Sequence, residues 1–89
     1  MKGTTKNGFK FDVDDEVFDD MELIDTMARY NKGDEYAVSD AIRIILGEDQ
    51  TQKLYEHLRK KSKKGRVSAT AVGETIGEIF EAFGEDSEK

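Results

Sequence analysis

Few side chains in this 89-residue chain could do chemistry, and their spacing argues against most of it. His57 is the single histidine and there is no cysteine, so disulfides, thiolate catalysis and a Cys/His zinc set are all unavailable. His57 stands between Glu56 and Leu58, with no serine or threonine at a strained turn for it to activate. It reads as a surface or boundary histidine. The run Asp12-Val13-Asp14-Asp15-Glu16 has the carboxylate density of a calcium loop. An EF-hand loop starting at Asp12 needs glycine at its sixth position and glutamate at its twelfth, where this chain has Val17 and Leu23. The stretch reads instead as a solvated acidic turn entering a helix N-terminus, where the helix dipole favours negative charge. The expectation is a chain with no catalytic residues, no metal and no cofactor.

Ser39-Asp40 bears on another class, because small acidic helical proteins include acyl carriers, which bear a phosphopantetheine on the serine of Asp-Ser-Leu. Here the order is Val38-Ser39-Asp40-Ala41, with no acid before the serine, and Ser39 reads as an early-helix surface residue. The formal charge of −6 and pI near 4.8 oppose nucleic-acid binding overall. The charge is nonetheless lopsided. Eight carboxylates and no base lie between Asp12 and Asp25, and six bases and no acid between Arg59 and Arg66. A recognition helix carries bases and amides along an exposed face. The bases here gather at the end of a helix that also holds Glu48, Asp49 and Glu56, where they complement the helix dipole. Nucleic-acid binding through residues 59–66 is therefore the alternative to protein binding. Gly73 and Gly77 form a Gly-x-x-x-Gly beside an apolar stripe and would allow close approach of another helix.

The elements that position these residues follow from periodicity. Phe9, Phe11 and Val13 alternate with polar residues, giving a short strand or extended arm that must pair with something. A first helix starts near Asp19 as N-cap, with Glu22 as capping-box partner and Phe18 and Leu23 at staple spacing. Its stripe is Met21, Ile24 and Ala28, flanked by Leu23 and Met27, and Asn31-Lys32-Gly33-Asp34 ends it. A second helix, about 35–46, carries Val38, Ala41, Ile42, Ile45 and Leu46 inward and stops at Gly47. A third, capped by Asp49 with Gln52, buries Leu54, Tyr55 and Leu58 and breaks at Gly65. A fourth opens on Ser68, carries Val72, Ile76, Ile79, Phe80 and Phe83, and closes at Gly84. The expected fold is mostly α: a compact bundle of three or four short helices with a short N-terminal strand or arm. Residues 1–7 are expected to be a flexible N-terminus, 8–84 a single helical domain and 85–89 a solvated acidic tail. No apolar run approaches membrane-spanning length and Met1–Lys6 has no apolar signal core, so the expected setting is cytoplasmic, without membrane.

Several segments stand in a suggestive order: Gly8-Phe9-Lys10-Phe11-Asp12-Val13, Asp19-Asp20-Met21-Glu22-Leu23, Asn31-Lys32-Gly33-Asp34 and Ile44-Ile45-Leu46-Gly47-Glu48-Asp49-Gln50. Then come Leu54-Tyr55-Glu56-His57-Leu58, Gly65-Arg66-Val67-Ser68 and Glu78-Ile79-Phe80-Glu81-Ala82-Phe83-Gly84. The succession, with the length and acidity, resembles the small tail assembly chaperones of long-tailed bacteriophages and their prophage remnants, over about residues 8–84. The resemblance implies a non-enzymatic protein of the host cytoplasm, absent from the mature virion. It would bind the helical tape measure protein and keep it soluble while tail tube protein polymerises around it. The tail tube protein is then a further partner. Phe9, Phe11, Phe80 and Phe83 are the expected interface positions, since apolar residues near both ends of a small core are the ones left partly exposed. Gly73 and Gly77 join them as a helix-approach face, and self-association would serve both that face and the unpaired strand.

Overall fold

The computed structural model describes residues 1–87 and is mostly α, with a β-hairpin, a 3-10 turn and three helices around one core. Strand β1 (Lys2–Thr4) pairs antiparallel with β2 (Lys10–Asp12), in the register Lys2↔Asp12, Gly3↔Phe11 and Thr4↔Lys10. The partner that the Phe9–Val13 alternation requires is thus the stretch expected to be a flexible N-terminus. The Lys2-Gly3-Thr4 segment has no apolar alternation to announce a strand, and what recruits it is the unpaired main chain of β2. Met1 extends the ladder: its carbonyl accepts from the Val13 N–H at 2.8 Å and its ammonium donates to the Val13 carbonyl at 2.7 Å. Gly3 is needed where it stands, because a Cβ there would lie 2.5 Å from Cζ of the Phe11 ring that covers it.

A 3-10 turn (Asp15–Asp19) leads into α1 (Met21–Asn31). The helix is capped one residue later than expected, by Asp20, whose carboxylate accepts from the Glu22 N–H at 2.9 Å. The apolar face it buries also differs from the expected one. Leu23 and Thr26 are buried and Met27 and Tyr30 half-buried, whereas Met21, Ile24 and Ala28 face solvent. Both sets recur at helical spacing, and the inward one is chosen by its fit to α3: the Tyr30 hydroxyl lies where a Cβ on Gly73 would come within 2.6 Å. Thr26 can sit inside because its hydroxyl donates to the Glu22 carbonyl at 2.7 Å.

Helix α2 (Ala37–Lys61) is interrupted at Gly47, with φ 77° and ψ 166°. The second and third helices expected from the sequence are its two arms, meeting at that glycine without a loop. Asp49 does not cap the second arm. The Gln52 amide donates to the Glu48 carboxylate at 3.0 Å, and the buried Thr51 hydroxyl donates to the Gly47 carbonyl at 2.8 Å. Arg43 straddles the break, donating to Glu48 at 2.9 Å and to the Tyr55 hydroxyl at 3.3 Å. Helix α3 (Ala69–Ser87) starts where Ser68 accepts from the Ala71 N–H at 3.1 Å, and it runs past Gly84 rather than closing there. Of the expected solvated tail, Glu85 is exposed, while Glu88 and Lys89 lie outside the described residues. The core is filled by Phe9, Phe11 and Val13 of the hairpin region, Leu23 of α1, Ile42, Ile45 and Leu54 of α2, and Val72, Ile76 and Ile79 of α3. Burying each such side chain contributes about 1.5–3 kcal/mol before entropy is counted.

Candidate partner-binding surface

The path of the chain separates its two charge clusters. The second arm of α2 begins beside β2, where Gln50 hydrogen-bonds both main-chain groups of Asp12. It ends beyond His57, whose Nε2 lies 2.9 Å from the Asn7 carbonyl in the hairpin turn. The hairpin is spanned between those two contacts, so the basic run 59–66 follows the turn end and the acidic stretch 12–25 gathers at the other. The molecule measures 38 × 28 × 19 Å.

All eight carboxylates of the acidic end are exposed. Asp14 accepts from the Glu16 N–H at 3.0 Å, Asp20 caps α1, and Asp15 lies 3.3 Å from the N-terminal ammonium. The six bases of the other end are exposed too, and of them Arg59 pairs with Glu56. The loop that carries the rest is folded on Ser62, whose hydroxyl accepts from the Lys64 and Arg66 N–H groups at 3.3 Å each.

The acidic end also carries open apolar surface. Phe18, in the 3-10 turn, stacks on Phe83 at 4.0 Å between ring centroids and meets Phe80 edge-on at 5.3 Å. All three rings are half-buried. The expected staple partner of Phe18 was Leu23. The ring also meets the two aromatic faces at the end of α3, and it packs against the core to which Leu23 belongs. On α1, Met21 is 61% and Ile24 48% exposed, and Ala28 lies on the same outward face. These are the apolar residues that sequence reasoning assigned to the core.

The expected interface positions therefore divide. Phe80 and Phe83 keep part of their surface open and are brought together by Phe18. Phe9 and Phe11 are 5% and 4% exposed, and both belong to the core. They were expected to be open because they lie near a chain end, but pairing with β1 folds that end over the helices. Gly73 and Gly77 divide as well. Gly73 faces Tyr30 of the same chain, while a Cβ on Gly77 would meet nothing within 4 Å.

The remaining candidates occupy ordinary places. His57 is half-buried at the hairpin turn, its ring 5.9 Å from that of Phe9. The Ser39 hydroxyl accepts from Arg43 at 2.5 Å. Among the described residues no three His, Asp or Glu side chains are grouped so as to hold a metal ion, and no helix is long and apolar enough to cross a membrane. Among the described residues, Glu48 is the one carboxylate clearly displaced in its titration. The hydrogen bond from Gln52, followed by that from Arg43, holds it below the ordinary carboxylate range. No family model, no curated protein and no solved structure matches the chain.

Proposed function

We propose that this chain is a non-enzymatic tail assembly chaperone, which binds the tape measure protein of a long-tailed phage or prophage and keeps it soluble while the tail tube assembles. On this reading it acts in the host cytoplasm and is left out of the virion. The tail tube protein is its second partner. The ordered resemblance over residues 8–84 supports the reading. The observation that carries it is the apolar surface left open at the acidic end, formed by Met21 and Ile24 on α1 and by the Phe18, Phe80 and Phe83 rings. A helical client needs such a surface to dock on, and a domain this small and charged gains nothing in solution by exposing it. Co-expression with the tape measure protein is expected to yield a soluble complex that co-purifies. A client that stays insoluble and does not co-purify contradicts the proposal.

The exposed basic tip at 59–66 favours a second reading, a small nucleic-acid-binding regulator. A gel shift that appears at low salt and weakens steeply as salt rises would select it. No shift at either salt removes it.

A further inference from the structure

We infer that the outward face of α1, with Met21 and Ile24 as its anchors, is the seat of a partner helix that is itself basic and amphipathic. The inference rests on the chaperone reading and deepens it by giving the chemistry of the segment recognised. Three observations carry it. First, α1 is apolar on two sides. Leu23, Met27 and Tyr30 meet the rest of the chain, while Met21, Ile24 and Ala28 form a second stripe at helical spacing that is exposed among the described residues. A single exposed apolar residue is unremarkable, but a repeat at i, i+3 and i+7 on one helix is the pattern a second helix packs against. Ala28 leaves room there for a close approach.

Second, the N-terminal half of the stripe, where Met21 and Ile24 stand, is rimmed by acids, and the exposed base Lys32 lies at its far end. Asp20, Glu22 and Asp25 are exposed around its N-terminal half. Arg29, the one base within α1, is already committed to Asp40 at 3.0 Å and to Asp34 at 3.8 Å. An incoming helix with leucine-like residues on one stripe and lysine or arginine beside it satisfies both parts of this surface. Third, the alternatives fit the charge poorly. A second copy packing through this same face brings a second set of the same carboxylates to the contact. An anionic membrane surface meets the same repulsion.

The test compares the wild-type chain with a Met21→Ser, Ile24→Ser double variant. Both side chains point outward, so the thermal midpoint should be unchanged, and an unaltered circular dichroism melt verifies this. Affinity for the tape measure protein should fall by at least about tenfold in the variant, and binding to wild type should weaken as salt is raised. A client held equally by both proteins overturns this inference and leaves the chaperone reading standing. A client that wild type fails to hold overturns the chaperone reading, and two synthetic amphipathic peptides then decide the inference. A leucine–lysine helix should bind wild type and not the variant, while its leucine–glutamate counterpart binds neither. Equal binding of the two peptides, or binding of neither, overturns the inference. So does a wild-type dimer in sedimentation that dissociates in the double variant, since the face would then belong to a second copy.

Discussion

The side-chain amide of Gln50 hydrogen-bonds the main chain of Asp12 as a neighbouring strand would. Its Oε1 accepts from the Asp12 N–H at 2.8 Å and its Nε2 donates to the Asp12 carbonyl at 2.7 Å. Nε2 also reaches the Leu46 carbonyl at 3.0 Å, at the break in α2. A two-stranded hairpin is barely stable alone and exposes its outer main-chain groups. This one residue covers part of that edge and ties it to the point where the two arms of α2 meet.

Gln50→Ala should therefore destabilise the chain by about 1–2 kcal/mol, the amount expected for hydrogen bonds that water can partly replace. Gln50→Glu should cost a similar amount, because a carboxylate keeps the acceptor and loses the donor. Urea denaturation of the three proteins checks this. Wild-type stability in both variants would mean that the hairpin is held by its apolar face alone.

The glycines separate by backbone conformation and surroundings. Gly47 has φ 77° and ψ 166°, a combination essentially confined to glycine, so Gly47→Ala should cost about 1–3 kcal/mol although the new Cβ meets no neighbour. Gly77 is inside a helix with open space around it, and Gly77→Ala should stabilise the chain by about 0.5–1 kcal/mol. Gly73→Ala should gain less than that, because its Cβ displaces the Tyr30 hydroxyl. Thermal melts should place Gly77→Ala highest, Gly73→Ala below it and Gly47→Ala lowest. A destabilising Gly77→Ala would contradict the packing described.

Glu48 predicts a pH effect. Its carboxyl is held below the ordinary range by the Gln52 hydrogen bond first and the Arg43 hydrogen bond second. A depressed carboxylate stabilises the fold above its unfolded pKa, and the contribution is lost as pH falls through the folded value. The melting difference between wild type and Glu48→Gln should therefore be present near neutral pH and disappear in acid, below the ordinary carboxylate pKa. A difference that is constant across that range would show that the contacts of Glu48 do not depend on its charge.

Much of the fold was legible because its signals are local. The break at Gly47, the Ser68 cap and the inward run Val72–Ile76–Ile79 each need only a few neighbouring residues to read. The hairpin was half legible. Phe9, Phe11 and Val13 announce a strand, but its partner Lys2–Thr4 has no pattern, and only the folded chain brings Gly3 under the Phe11 ring. The candidate surface was the least legible part. On α1 two stripes share the same period, and choosing between them requires knowing that Tyr30 meets Gly73 across 43 residues of chain. The same limit hid Phe18, whose neighbours Phe80 and Phe83 come from the far end of the sequence.

The measurement closest to the central claim is dilution of denatured tape measure protein out of denaturant, with and without an equimolar amount of this chain. Light scattering follows aggregation, and gel filtration of the supernatant follows the complex. The account predicts that scattering is suppressed and that the two proteins elute together. Aggregation proceeding as fast with the chain as without it, and no shared peak, would contradict the account.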